Sequence, residues 1–419
     1  MTPTTLPTNP RVPEKSETQP AEAAKQPDTR GLNAWIEVSA EAYRHNLEFI
    51  RQRIGSSVEL GAVVKANAYG HGLEQASRLA LESGADSLCV HALDEALALR
   101  RAGHRCDVLI MGHVPLARLS EAVRENFRLV LFSIETAERL AHLAQDTGLR
   151  PRVHVKIETG THRQGLEGEE LSRLLDVLAA HPSLEVEGAY THFADIEDTT
   201  DHAYARRQLR LFEEALETLR ARGFEPSCRH AACSAASLLF PETHFDMVRV
   251  GISQYGFWSS KETRLTYQHE HAGGVSGAGH LDAAAAGPRP SLSFKARISQ
   301  VKNIPAGASV GYGRTWQATR PTRLAVLPIG YADGYDRLLS NRAHVLVGGR
   351  RAPVRGRVCM NLTLIDVTDV PEARLEDEVV LIGRQGDREV RAEELAELAG
   401  TIPYEVVARL APHLPRLIV

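Results

Sequence analysis

Eight short apolar runs recur along the first two thirds of this chain, each followed by a segment of helical periodicity. That alternation constrains the fold more than any other feature. The runs fall at 60–65, 87–91, 107–111, 128–132, 152–157, 185–191, 227–231 and 247–250. The helical segments between them include 73–83, 93–103, 116–125, 135–147, 169–180 and 203–222. Short apolar strands separated by helices predict a parallel sheet covered on both faces. Eight such units are the number that closes a (β/α)8 TIM barrel.

After residue 256 the rhythm changes. Alternating apolar runs at 292–298, 323–329, 343–347, 352–358 and 377–382 predict a mostly β C-terminal domain. The segments 391–400 and 403–410 read as short closing helices. The organisation expected is therefore a disordered, Pro-rich N-terminal tail (1–31), a barrel (46–255), and a β-strand-rich domain built from 32–45 plus 256–419. The Gly/Ala-rich stretch 259–290 reads as a flexible insertion in that second domain. The tail has no apolar core of the kind a secretory signal carries.

Composition removes several classes. With 49 basic against 53 acidic residues the net charge is −4, and no long basic run offers an electrostatic path to nucleic acid. No apolar stretch reaches the ~20 residues needed to span a membrane. Five widely spaced cysteines with no CxxC pair argue for a reducing, cytoplasmic setting, and no metal-ligand motif stands out. Only seven lysines occur, so a lysine inside an apolar segment stands out from its background.

Two of the seven end barrel strands. Lys65 closes Gly61-Ala-Val-Val-Lys65 and precedes the loop Ala-Asn-Ala-Tyr69-Gly-His-Gly72. Side chains at strand C-termini face the mouth of such a barrel. A desolvated lysine there can form a Schiff base, although a strand-end lysine can also simply reach to solvent. Lys156 opens Lys156-Ile-Glu-Thr-Gly-Thr-His-Arg163, where Arg163 suits a carboxylate or phenolate oxygen. His192, in Tyr190-Thr-His-Phe193, can shuttle protons or serve as a structural hydrogen-bonding group. Ser234, Gly251 and Ile252 follow strands seven and eight, where barrels often bind phosphate, and Arg249 stands beside them. In the β domain, Gly311-Tyr312-Gly313-Arg314, Gly330-Tyr331-Ala-Asp-Gly334 and Arg357-Val-Cys-Met360-Asn361 place aromatic and polar groups at turns.

Taken in order, AVVKANAYGHG, THF, FDMVRVG, GYGRT, PIGYADGYDR, GRVCM and TIPYEV resemble the motifs of bacterial alanine racemase, a fold-type III pyridoxal-phosphate enzyme family. The resemblance runs from about Trp35 to Val419, apart from the 259–290 insertion. It implies pyridoxal 5'-phosphate as cofactor, a small amino acid as substrate and a head-to-tail homodimer. Lys65 would hold the cofactor covalently and act as one base. Tyr312 would be the other, reaching in from the second subunit. Tyr69, Ser234, Tyr404, Gly251 and Ile252 would hold the phosphate. Arg249 would face the pyridine nitrogen, and His192 would link Arg249 to Tyr312. Arg163 and Met360 would place the substrate carboxylate. Lys156 matches a position that is often carbamylated.

The resemblance also implies D-alanine supply for peptidoglycan. Three departures bear on specificity: Thr161-His162 in the Arg163 loop, Cys233 where asparagine is common, and Asn361 where aspartate is common. The alternatives are a broader or serine-type amino-acid racemase on the same scaffold, a decarboxylase of the same fold type, and a non-catalytic pyridoxal-phosphate carrier.

Overall fold

The computed structural model describes residues 28–272 and 287–419. Strand β1 (Ala34–Val38) leads into the helix Ala40–Ile54, whose N-cap Ser39 accepts a hydrogen bond from the Ala42 amide at 3.2 Å. Eight parallel strands follow: β2 (Glu59–Val63), β3 (Ser87–Val90), β4 (Asp107–Ile110), β5 (Arg128–Leu131), β6 (Arg152–Lys156), β7 (Glu185–Tyr190), β8 (Cys228–His230) and β9 (Met247–Val250). Each matches one of the eight runs read from the sequence. Their order around the sheet is β8-β7-β6-β5-β4-β3-β2-β9. The seam between β8 and β9 carries no ladder. It is crossed by single bonds, from the Asp246 amide to the Arg229 carbonyl and from the Arg249 amide to the Ala232 carbonyl, both 3.0 Å. The result is a nearly closed TIM-like barrel.

The barrel interior changes character along its axis. At the N-terminal floor, Arg128 pairs with Glu59 (2.6 Å), Asp107 (2.9 Å) and Glu187 (3.0 Å), while Arg152 pairs with Asp107 and Glu187. Val63, Cys89, Leu109, Val130, Tyr190, Cys228 and Met247 form one interior cluster within the barrel. The residues that end the strands face the C-terminal mouth.

The second domain is mostly β. Strands β10 (Leu292–Arg297), β11 (Gln300–Ile304), β12 (Ser309–Val310), β13 (Trp316–Gln317), β14 (Thr322–Leu327), β15 (His344–Val347), β16 (Arg350–Pro353), β17 (Thr363–Asp366), β18 (Glu378–Gln385), β19 (Arg388–Val390) and β20 (Arg416–Ile418) make up its sheets. The largest has the order β16-β15-β18-β10-β1-β20. β1 therefore pairs with β10 and β20, joining the start of the chain to its end. Helices Ala392–Ala399 and Pro403–Ala408 close the chain as expected.

Four expectations need correction. The boundary at 45/46 falls inside the helix Ala40–Ile54, which packs on the barrel through Leu47 and Ile50. The stretch 259–290 is not wholly a flexible insertion. It begins with the helix Lys261–Ala272, whose Tyr267 packs on Phe49 and Trp258, and it ends with Arg289 bonded to Asn46. Its Gly/Ala-rich centre, 273–286, lies outside the described residues, as do 1–27 of the tail. The end of the tail is tied down, since Arg297 bonds Thr29 at 3.0 Å. The run 352–358 is a strand only to Pro353, and β11 and β17 were not anticipated because their alternation is short. No helix among the described residues is long and apolar enough to cross a membrane.

Candidate active site

Lys65 sits half-buried at the end of β2, and the backbone beyond it turns the wrong way. Ala66, Asn67, Ala68 and Tyr69 have φ between 52° and 55°, a left-handed turn closed by Gly70 at φ 83°. L-residues pay roughly 1–2 kcal/mol each for this conformation. It is held by Glu95, whose carboxylate accepts the Ala66 amide (2.6 Å) and the His91 and Ala92 amides, and by Asn67, whose side chain accepts the Leu73 amide. Gly70 has no room for a side chain: a Cβ there would lie 1.9 Å from the Val407 carbonyl oxygen. This contact seats the Pro403–Ala408 helix, and with it Tyr404, against the barrel mouth.

A cavity of about 560 Å³ opens at that mouth. Ten of the expected site residues line it: Lys65, Tyr69, Lys156, Arg163, His192, Ser234, Arg249, Gly251, Ile252 and Tyr404. Two guanidiniums, Arg163 and Arg249, act on the titratable groups around it. Burial lowers the Lys65 pKa below that of an ordinary lysine, and Arg163 adds to the effect, with Glu95 opposing. Lys156 is buried with its Nζ 4.1 Å from the centre of the Tyr190 ring. Burial, then Arg249, then Arg163 hold its pKa well below the usual value, so its neutral amine is favoured. His192 is held neutral by burial and by Arg249, Lys156 and Arg163.

Arg249 is buried, and both terminal nitrogens of its guanidinium have partners. Nη1 donates to His230 Nδ1 at 2.7 Å, and Nη2 donates to the Thr191 carbonyl at 2.9 Å and the Ala231 carbonyl at 3.2 Å. Its approach to His192 Nδ1 is longer, 3.4 Å. At the other end of the cavity Ser234 Oγ accepts the Gly251 amide at 2.9 Å. A Cβ added at Gly251 would fall 2.8 Å from Tyr69 Oη, so the missing side chain leaves room beside three hydroxyls: Tyr69, Ser234 and Tyr404. Hydroxyls and backbone amides around a glycine suit a phosphate-sized anion. A lysine of depressed pKa within the same cavity suits a carbonyl carbon. The donor set therefore fits a phosphorylated aldehyde.

Tyr312 and Met360 lie elsewhere. Both are exposed, at 72% and 57%, and line a second cleft of about 470 Å³ with Tyr331, Arg337 and Arg357. One chain alone thus separates them from Lys65.

The model for the alanine racemase N-terminal domain matches residues 38–258, and that for the C-terminal domain matches 291–418. The chain belongs to the alanine racemase family. An alanine racemase of Leptospira interrogans is 38% identical over 92% of this chain and 96% of its own length. One of Symbiobacterium thermophilum is 42% identical over 91% and 96%. The crystal structure of the Bacillus anthracis alanine racemase with bound L-Ala-P superposes with a TM-score of 0.83 at 35% identity, over 92% of this chain and 95% of that one.

Within this alanine racemase scaffold, sequence reading passed over several residues that build the site. His230 makes the shortest side-chain contact to Arg249, and His154 bonds His230 in turn. Tyr190 lies under both Lys156 and Arg249. Glu197 accepts the Tyr404 hydroxyl at 3.1 Å, and burial, then Asp198, raise its pKa. Glu158 accepts the Gly160 and Thr161 amides and so shapes the Arg163 loop, which Thr161 Oγ1 pins to the His192 carbonyl at 2.6 Å. The inward alternation of β8 could have singled out His230. The others depend on contacts distant in sequence.

Proposed function

We propose that this chain is a pyridoxal-phosphate-dependent alanine racemase, interconverting L-alanine and D-alanine by two bases and supplying D-alanine for peptidoglycan in the cytoplasm. The observation that carries this reading is the single cavity that joins a lysine of depressed pKa, a hydroxyl-lined anion cradle and a buried arginine, on a chain of this family. Pyridoxal phosphate, when bound, supplies a conjugated ring that takes up the electron pair left when the substrate Cα loses its proton.

The protein's part is positioning and proton transfer. Tyr69, Ser234, Tyr404 and the backbone of Gly251 and Ile252 would hold the phosphate. Arg163 and Met360 orient the substrate carboxylate. Lys65 Nζ, kept short of its usual basicity by burial, takes or returns a proton on one face. Tyr312 Oη of a second copy does so on the other face, in a head-to-tail homodimer. Its exposure beside Tyr331 and Met360, in a cleft remote from Lys65, is what supports that arrangement. Arg249 would face the ring nitrogen of the bound cofactor and, keeping its own protons, would leave that ring a weaker electron sink than a carboxylic acid partner would. This disfavours decarboxylation and transamination.

Neutral Lys156 is suited to add carbon dioxide. Carbamylation would replace a buried amine with an anion between Arg163 and Arg249. Racemisation measured on alanine, serine and lysine enantiomers, with pyridoxal phosphate added and omitted, tests the reading. Alanine as the best substrate with strict cofactor dependence is expected. Preference for serine, or no turnover of any, would overturn it. Tyr312→Phe should keep the visible absorbance of the bound cofactor and lose most racemisation, which a cofactor carrier would not show.

A further inference from the structure

We propose that His154 positions Arg249, through His230, by means of a one-way file of two hydrogen bonds that points towards the Glu187 carboxylate at the barrel floor. The role assigned to Arg249 rests on the pyridoxal-phosphate reading; the file itself does not.

An arginine donates and never accepts. Arg249 Nη1 lies 2.7 Å from His230 Nδ1, so that nitrogen is bare and the ring's proton sits on Nε2. His230 Nε2 lies 2.8 Å from His154 Nδ1, which must then accept. The proton of His154 is left on Nε2, which is buried without a hydrogen-bond partner and faces Glu187 Oε2 across 3.7 Å. A carboxylate only accepts. The direction of the file is thus dictated by the permanent donor at the mouth, and the negative Glu187 carboxylate at the floor favours the same orientation. Reversing either ring would bring two N–H groups face to face with no water to relieve them.

The surrounding structure is built for this file. Both imidazoles are fully buried. A Cβ on Gly188 would fall 2.2 Å from His154 Nδ1, and the β6–β7 register shifts between Val153 and His154, where the ring needs room. The Tyr190 ring stacks flat on His230, at 4.6 Å and 0°. Glu187 is gripped by Arg152 through both carboxylate oxygens and by Arg128. Burial lowers the pKa of both histidines, with Arg249 adding to the effect at His230 and Glu187 opposing it at His154, so the neutral rings the file requires are favoured. Arg249 is therefore held through two rings to His154 on β6.

The decisive test needs no cofactor. Nitrogen-15 NMR of histidine-labelled full-length apoprotein should show His154 and His230 both neutral and both carrying the proton on Nε2. A proton on Nδ1 of either would overturn the file. So would a stoichiometric metal ion retained by His154, Cys228 and His230, whose donor atoms lie within 4.8 Å of one another. In the holoenzyme, His154→Leu should lower kcat for racemisation about tenfold, the effect of one lost hydrogen bond, with KM little changed. It should also raise conversion of the cofactor to its amine form by transamination, a change that a merely loosened barrel would not produce. His154→Gln, whose amide oxygen can still accept from His230, should restore most of both. Unchanged transamination in a folded His154→Leu protein would remove the positioning role. Wild-type protein with the expected tautomers but no cofactor-dependent racemisation would overturn the functional reading and leave the file standing.

Discussion

At Lys65 burial and the Arg163 guanidinium both disfavour the ammonium form. A lowered pKa means the amine gains its free-base form at a lower pH than an ordinary lysine, so reactivity rises as pH passes up through the shifted value. Replacing Arg163 by glutamine removes one of the two causes. The rate of amine modification of the apoprotein at Lys65 should then require a higher pH, which peptide mapping across a pH series would read directly. Ser234 offers a second check at this scale. If Ser234 holds the phosphate as proposed, Ser234→Ala would remove a hydrogen bond worth about 1.5–3 kcal/mol to a charged group, and cofactor affinity should fall roughly 10–100-fold in a fluorescence titration. Lys65, Arg163, Ser234 and Arg249 were legible in the sequence because each lies near the end of, or just after, a strand run that could be placed at the barrel mouth. His154 and Glu187 were not. A histidine within an apolar strand and a glutamate near a strand start have no local signature, and their meaning comes from β6 and β7 lying side by side.

The strand–helix units show how far local pattern reaches. All eight barrel strands were readable because each carries a short apolar stretch between helical segments, although charged residues open most of them. The C-terminal domain was read less completely, since β11 is mostly exposed and β12 and β13 are two residues each. The left-handed turn 66–69 was invisible, because alanine and asparagine there do not announce φ near +55°. Relief of that strain is testable. Ala66 is exposed, so Ala66→Gly should raise stability by up to about 1 kcal/mol in thermal melts of the apoprotein. Gly70→Ala should act in the opposite direction. Its Cβ would strike the Val407 carbonyl, costing about 3 kcal/mol or more and moving Tyr404 away from the cavity. A lowered melting temperature together with weakened cofactor binding is the expected pair of results. The floor of the barrel has its own pH signature. Burial alone would raise the Glu187 pKa, but His154, Arg152 and Arg128 hold it down to about 2. A depressed carboxylate stabilises the fold above its unfolded value near 4.3, and that contribution is lost as pH falls towards 2.

For the whole molecule, the question is where Tyr312 acts. Ten expected site residues meet in one cavity of a single chain, while Tyr312 and Met360 face a separate cleft of the β domain. In a two-fold dimer, a patch that reaches the partner's site receives the same contact in return. Each active site would then combine Lys65 of one subunit with Tyr312 of the other. The most direct measurement mixes two inactive proteins, Lys65→Ala and Tyr312→Phe, under conditions that let subunits exchange. Every mixed dimer would contain one site with both bases intact. Random exchange at equal amounts should therefore restore about a quarter of wild-type racemisation. Mixed dimers that form but recover no activity would place both bases in the same subunit's site and contradict the account.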